Sequence, residues 1–344
     1  MKNNTPYLFA RLSSVLLAAL MAWMATSCVH EFPEPPGTAR LRLLVHHETD
    51  WTWYDYYHTS RAGSQGASTE VRYVFKFFEP GTDICRATQT VYSADLSLAD
   101  FTVTLEAPAG ESDLRVWSDY VEAGSHAPMH HDADDFSAVT LSTPHNGNTD
   151  TRDCFEGMEH LSISAVADDS HFATGRVDLR RNTARVIFIA TDAAELAASE
   201  LSRRGEAAQT GGALSPRAVD EALRGYTVVV SYPMYMPCTY NMFLQKPVDS
   251  RTGVSFEAPV TMRDNGEAHI GMDYVFVNHA DAGAQMSLSL RNPAGDQVQL
   301  TDVITVPLLR GRTTVVRGRF LTMQSSGGVG IDPSFNGDFN IEFH

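Results

Sequence analysis

The stretch Val71-Arg72-Tyr73-Val74-Phe75-Lys76-Phe77 indicates the fold of this chain. Its large apolar side chains fall at residues 71, 73, 75 and 77, a period of two that is typical of a β-strand with one face on a core. The same pattern recurs at residues 41–45, 101–105, 114–118, 185–190, 226–231, 269–277, 285–290, 297–306 and 313–322. The sequence therefore predicts a protein built mainly from β-strands.

The connections between these strands consist mostly of turn residues. Pro80-Gly81 and residues 108–110 are examples in the first half, and Pro293-Ala294-Gly295-Asp296 marks a hairpin loop in the second half. Strands that follow one another without intervening helices are typical of antiparallel β-sandwiches. We therefore predict an all-β protein made of antiparallel sandwiches.

One part of the second half is predicted to be helical. Residues 193–203 are rich in Ala, Glu and Leu, and a second short helix begins at Ser215-Pro216, an N-cap followed by a first-turn proline. Together they form a small helical insertion over residues 193–225. At the end of the chain Phe339, Ile341 and Phe343 alternate with polar residues, which predicts a terminal strand that needs an edge to pair with.

The beginning of the chain has the layout of a bacterial lipoprotein signal. Lys2 and Arg11 precede an apolar run at residues 15–24 that is too short to span a bilayer, and small residues lead into Cys28. We predict that residues 1–27 are a signal peptide and that Cys28 is lipidated. In the alternative, Cys28 is only a residue near an ordinary cleavage site. The proline-rich residues 28–38 are predicted to be a tether to the membrane.

Length and charge limit the domain count and the partners. Without the signal peptide 344 − 27 = 317 residues remain, enough for two domains at about 150 residues each, which we place at 39–170 and 171–344. The formal net charge is −16, so the protein should be repelled by nucleic acid and by anionic lipid head groups. Attachment to a membrane would therefore depend on the acyl chains of Cys28.

The remaining cysteines allow at most one disulfide bond. Cys85 and Cys154 are the favoured pair because both fall in the first half, and Cys238 lies in the second. Three unpaired thiols, buried or partly buried, are the alternative.

The most aromatic segment of the chain is a candidate recognition surface. It contains Trp51, Trp53, Tyr54, Tyr56, Tyr57 and His58. Flat rings beside hydrogen-bonding groups can stack on sugars or anchor a protein partner. The favoured alternative is that these residues form one face of a strand or a packed loop.

Metal binding and catalysis find little support in the sequence. His126, His130, His131, Asp132, Asp134 and Asp135 supply metal-ligand types, but their spacing matches no common zinc or calcium site, so a solvated acidic loop is favoured. The chain contains no nucleophile elbow, phosphate loop or dinucleotide fingerprint. We therefore predict no catalytic residues, metal or cofactor.

Several segments together resemble the fimbrillin-like surface lipoproteins of Bacteroidales, the family of fimbrial anchors and minor subunits. One of them reads Arg180-Arg181-Asn182-Thr183-Ala184-Arg185. The full set covers residues 28–34, 114–121, 135–141, 147–155, 180–188, 307–322 and 332–343. The resemblance implies two transthyretin-like sandwich domains, lipid anchoring in the outer membrane, and fimbrial subunits as partners joined by addition of a β-strand. Cys28 is the one functional position that it carries over.

These observations predict an outer-membrane lipoprotein that serves as a fimbrial anchor or accessory subunit and is not an enzyme. The alternative is a surface lipoprotein that binds a glycan or another host or bacterial ligand through Trp51 to His58. In shaft-type relatives, cleavage after an arginine releases the first strand. Arg40, Arg42 and Arg61 are candidates for such cleavage by position only.

Overall fold

The structure of the protein is a computed structural model. It describes residues 37–48, 69–95, 99–164, 172–206, 214–278 and 282–322, together with the backbone of 339–342. The predicted signal peptide, residues 1–27, and most of the predicted tether lie outside these residues. Within them, no helix is long and apolar enough to cross a membrane.

The described residues are mainly β-strands, which confirms the predicted fold class. Nine strands lie in the first half: β1 (Thr38–Glu48), β2 (Thr69–Phe78), β3 (Cys85–Ser93), β4 (Phe101–Pro108), β5 (Gly110–Glu122), β6 (His131–Asp132), β7 (Val139–Leu141), β8 (Phe155–Ile163) and β9 (Ala173–Arg181). A 3₁₀ turn at Asp150–Arg152 precedes β8.

The second half begins with β10 (Thr183–Ala190) and the predicted helical insertion. The helices are α1 (Ala193–Arg203) and α2 (Pro216–Ala222). The strands that follow are β11 (Thr227–Tyr232), β12 (Met236–Asn241), β13 (Lys246–Arg251), β14 (Val254–Pro259), β15 (Thr261–Met262), β16 (Ala268–Phe276), β17 (Ala282–Arg291), β18 (Gln297–Leu300), β19 (Ile304–Leu308), β20 (Thr313–Gly318) and β21 (Phe339–Glu342). As predicted, Ser215 caps α2 by accepting a hydrogen bond from the Ala218 N–H.

Seven strands of the first half form a sandwich. Their order is β3-β2-β5-β8-β9-β1-β4, but β8 and β9 pair only at Phe155 with Arg181 and at Glu156 with Arg180. Beyond these pairs the sheet divides into two layers whose inner faces share one core, formed by residues such as Leu43, Phe75 and Val116. The Gln89 side chain also links the outer strands β3 and β4 by hydrogen bonds to the backbone of Glu106.

Not every strand pair is antiparallel. β1 pairs with β9 in parallel, as do β10 with β20 and β20 with β21. The prediction of purely antiparallel sandwiches was therefore too narrow. Alternation of side chains indicates which residues form a strand. It does not indicate whether a partner strand that is distant in sequence runs parallel or antiparallel.

The second half packs around a larger core. Its sheets have the orders β15-β16-β10-β20-β21 and β14-β11-β17-β18, with β19 paired to β17. Inner residues of both sheets, including Phe188, Val230 and Met286, belong to one cluster. The helices cover part of it, with Ala197 of α1 and Val219 of α2 fully buried.

A bent hairpin connects the two halves. β11 pairs with β14 and continues into β12, which pairs with β13 and also with β7 of the first half. At its tip the Met242 carbonyl accepts a hydrogen bond of 2.9 Å from Arg115, whose guanidinium lies 4.5 Å from the Phe243 ring centre. β9 lies after residue 170, where the sequence predicts a domain boundary, but it belongs to the seven-stranded sheet of the first half. The division of the chain into two domains stays a prediction.

The close approach of β8 and β9 at their paired end depends on a glycine. A Cβ atom on Gly157 would lie 2.6 Å from Leu179 Cδ2 and 2.8 Å from Val177 Cγ2, whereas one on Gly283 of β17 would meet nothing closer than 3.6 Å. We expect Gly157→Ala to lower the free energy of unfolding by about 1–3 kcal/mol because it overpacks the core. Gly283→Ala, the matched control, should change it little. Urea denaturation of both variants tests this, and equal stability would contradict it.

Candidate strand-docking site

The first strand of the described chain lies inside a sheet. β1 has β9 on one side and β4 on the other. Its residues alternate strictly, with Arg40 and Arg42 exposed and with five buried side chains that point into the core: Ala39, Leu41, Leu43, Val45 and His47. Removing β1 would therefore leave an apolar groove bordered by two strand edges.

Polar contacts hold the end of β1 in place. Glu48 forms an ion pair with Arg180 of β9 at 2.8 Å, and the ring of His47 lies 3.4 Å from the Tyr73 hydroxyl. Burial lowers the pKa of His47 to about 4, so this histidine is neutral at pH 7. On the outer face Arg42 lies 4.7 Å from the centre of the Phe172 ring.

The end of the chain also forms a strand, as predicted. β21 pairs in parallel with β20, from Thr314 opposite Phe339 to Arg317 opposite Glu342. It lies at the end of its sheet. Among the described strands, β1 is thus paired on both sides, whereas β21 is paired with β20 alone.

A buried ionic cluster lies between the two cores, and Asp273 of β16 is at its centre. The Asp273 carboxylate is fully buried and contacts Arg152 Nε at 2.9 Å, His145 Nε2 at 2.8 Å and the Tyr232 hydroxyl at 2.7 Å. The Tyr274 N–H donates to Asp273 Oδ1, the oxygen that Arg152 contacts. Burial alone would raise the pKa of Asp273, but Arg152 and then His145 lower it to about 2.

Further buried carboxylates surround this centre, each with its own cation. Asp119 receives two hydrogen bonds from Arg72, of 2.8 and 2.7 Å. Glu156 pairs with Arg310 at 2.7 Å, and Asp153 pairs with Arg181 at 2.9 Å. In all three acids burial raises the pKa above its ordinary value despite the cation. Burying each of these pairs therefore costs desolvation free energy. Removing only one partner would also destabilise the protein, because the other charge would stay buried without a counter-charge.

Three of the segments that carry the family resemblance meet in this cluster. Residues 147–155 supply Arg152 and Asp153, residues 180–188 supply Arg181, and residues 307–322 supply Arg310. Their common role is not predicted by the sequence pattern. The one available signal was a group of charged residues, Asp150, Arg152 and Asp153, in a segment with no strand alternation.

Some predicted site residues lie outside the described part of the chain. These are Cys28 and Arg61, and the aromatic residues Trp51, Trp53, Tyr54, Tyr56, Tyr57 and His58. Lipidation and ligand binding by the aromatic segment therefore stay predictions.

The cysteines follow the alternative of unpaired thiols, although Cys85 is exposed on β3 and not buried. Cys154 is buried and its thiol lies 3.0 Å from Asn182 Oδ1, so these two described residues form no disulfide. The prediction of a solvated loop was wrong for His130 and His131, which are buried. Among the described residues, no group of three or more His, Cys, Asp or Glu is arranged to hold a metal ion.

The chain belongs to a family of unknown function (DUF6562), whose model matches residues 36–344. No curated protein matches the sequence.

Solved structures similar to the chain include fimbrial proteins of Bacteroidales, the group that the sequence resembles. The fimbrial anchor protein Mfa2 from Porphyromonas gingivalis is 14% identical, with coverage of 77% of this chain and 82% of that chain and a TM-score of 0.36. A fimbrial assembly protein from Parabacteroides distasonis is 11% identical, with coverage of 86% and 94% and a TM-score of 0.39. A candidate polysaccharide-binding protein (DUF1812) from Bacteroides thetaiotaomicron is 12% identical, with coverage of 77% and 80% and a TM-score of 0.41.

The ionic cluster should give the protein a distinct stability profile at low pH. The pKa of Asp273 is about 2 when folded, against an ordinary value of 3.8. Its stabilising contribution is therefore present above about pH 4 and is lost as the pH falls toward 2. At pH 7 we expect Asp273→Asn to lower the free energy of unfolding by about 3–5 kcal/mol, because Arg152 loses its counter-charge.

Denaturant titrations at a series of pH values measure this effect. The difference between wild type and Asp273→Asn should shrink between about pH 4 and 2. Asp100→Asn serves as the control, since Asp100 is 52% exposed in its pair with His46 and exposed pairs contribute little. A difference that stays constant down to pH 2 would exclude a depressed pKa for Asp273.

Proposed function

We propose that this protein is a lipid-anchored outer-membrane protein that serves as a fimbrial anchor or accessory subunit, without enzymatic activity. The observation that carries the proposal is the position of β1. It continues directly from the predicted tether, residues 28–38, and pairs with β9 over eight residues from Leu41 to Glu48. A load applied to lipid on Cys28 would therefore pass into a strand that is paired on both sides.

The chemistry of the chain fits attachment through lipid. With a net charge of −16 the body of the protein gains nothing from anionic head groups. Several acyl chains together hold a protein stably where one does not. We also propose two sandwich domains, 39–170 and 171–344, in which β9 of the second segment completes the sheet of the first sandwich and the bent hairpin β12–β13 joins the two.

Assembly by strand addition fits both ends of the chain. β21 is short and lies at the end of its sheet, where β20 is its one partner among the described strands. A strand edge without a neighbour presents N–H and C=O groups that a strand from another subunit can satisfy. We infer that the partners of this protein are other fimbrial subunits.

An anchor should keep its first strand. Arg40 and Arg42 lie within β1, which is paired on both sides, so a protease would reach them only after the strand opens. Of the three candidate arginines, Arg61 alone falls outside the described strand. We expect the intact mass of the surface form to include residues 28–48 and the lipid, whereas a form that begins after Arg61 would indicate a polymerising subunit.

The lipid anchor can be tested by one substitution. We expect Cys28→Ala to move the protein from the membrane fraction to the soluble fraction, because no other described feature binds a membrane. Cys85→Ala, which removes an exposed thiol, should leave it in the membrane fraction. Fractionation followed by immunoblotting measures both, and firm retention of Cys28→Ala would overturn the proposed anchoring.

The assembly role can be tested by deleting the gene. Electron microscopy should show fimbriae that are altered in number or length, or that are shed into the medium. Restoring the wild-type gene should reverse the change, whereas the Cys28→Ala gene should not. Unchanged fimbriae on the deletion strain would contradict the role.

A further inference from the structure

A cleft opens between β8 and β9, on the side of β9 opposite to its pairing with β1. β8 pairs with β5 along its whole length, and β9 pairs with β1 from Ala173 to Arg180. On the sides that face each other, however, the two strands pair only at residues 155–156 and 180–181. Within the described residues, the facing edges of 157–163 and 173–179 have no strand partner.

The cleft has an apolar base and a polar rim. It encloses about 420 Å³. Its base includes Leu41, Leu161 and Ile163, which are buried members of the sandwich core. Its rim is charged and polar and includes Glu159, His160, Ser162, Arg176 and Asp178, of which the last two form an ion pair of 2.7 Å. Among the described residues, the core therefore closes the cleft below and polar side chains border it above.

This combination selects an extended polypeptide as the occupant. N–H and C=O groups along a strand edge repeat at about 3.3 Å per residue, and another strand offers partners at the same spacing. Side chains of such a strand point alternately to opposite faces, so apolar residues at every second position would meet Leu161 and Ile163 while polar residues face the rim. A sugar or a small molecule would satisfy few of the repeated backbone groups.

We propose that this cleft accepts a β-strand, with apolar side chains at alternate positions, from another protein subunit. In an anchor that keeps β1, the groove between β9 and β4 stays filled, and the cleft between β8 and β9 is a strand acceptor that needs no cleavage. The identity of the partner as a fimbrial subunit rests on the proposed function. The binding of an extended strand rests instead on the geometry of β8 and β9.

At two positions in the walls of the cleft, a glycine leaves space that a larger side chain would fill. A Cβ atom on Gly175 would lie 3.1 Å from Leu161 Cδ2 and 3.2 Å from Leu43 Cδ1, directly over the base. A larger residue at 175 would therefore occupy the space that an incoming apolar side chain needs. Gly157 has the corresponding position at the closed end, where it packs on Val177 and Leu179.

Hydrogen exchange on the full-length wild-type protein tests the proposal directly. The probe is a synthetic peptide with the sequence of residues 338–344, in which Phe339, Ile341 and Phe343 alternate with polar residues. We expect it to slow exchange of cleft-facing amides at 157–163 and 173–179 by about tenfold or more, since tenfold corresponds to 1.4 kcal/mol of stabilisation. Protection only at 313–318, where the peptide would replace β21, or no protection at all, would overturn the proposal.

Two altered peptides separate strand pairing from simple hydrophobic contact. One has the same composition with its three apolar residues grouped together. The other carries N-methyl groups at alternate positions and so lacks half of its backbone donors. Both should lose the protection, and equal protection by the N-methylated peptide would exclude main-chain pairing in the cleft.

A cleft variant distinguishes this inference from the proposed function. We expect Gly175→Val to weaken peptide binding about tenfold or more, with Gly283→Val on β17 as the control and circular dichroism as the check on folding. If Gly175→Val restores fimbriae to the deletion strain as well as wild type does, the cleft is not the assembly site although the function stands. If the deletion leaves fimbriae unchanged while the peptide still protects the cleft, the function fails and the strand site stands.

Discussion

The rest of the structure depends most on the buried contacts that the Asp273 carboxylate makes with Arg152 and His145. Asp273 lies on β16 in the second half, and it is held by Arg152 and His145, which come from the connection between β7 and β8 in the first half. That connection also runs along β16, where the Asn148 N–H donates to the Met272 carbonyl at 2.8 Å. One charged residue thus fixes where the chain crosses from one core to the other.

Such a cluster is better explained by specificity than by stability. Burying an ion pair costs desolvation free energy that its attraction often fails to repay, and apolar replacements can be more stable. An apolar joint, however, would tolerate sliding of β16 against the crossing segment. Asp273, Asp153 and Glu156 each require a particular arginine at a particular place, so one alignment satisfies all of them. We interpret the cluster as the feature that keeps the joint between the two cores in a single register.

The sequence predicts local features well and non-local ones poorly. Alternation in residues 71–77 and 101–105 identified strands, and Ser215-Pro216 identified the start of α2, because both signals lie within a few residues of chain. The parallel pairing of β1 with β9 and the sheet shared by β7 and β12 join segments about 100 residues or more apart, for which alternation carries no information. His130 and His131 were predicted to be solvated because the side chains next to them in sequence are polar. The burial of His131 comes from distant strands, since Trp117 of β5 and Phe276 of β16 pack against its ring.

The placement of β1 connects the stability of the fold to the way a chain of this kind can assemble. A strand that is paired on both sides and buries five side chains cannot leave without exposing the groove and part of the core. A subunit that exchanges this strand needs an external event, such as cleavage, to supply the free energy. A subunit that keeps it must offer a different edge. The facing edges of β8 and β9 are suited to that task because each strand is already held by a full ladder on its other side, so that strand addition there requires no part of the sandwich to unfold first.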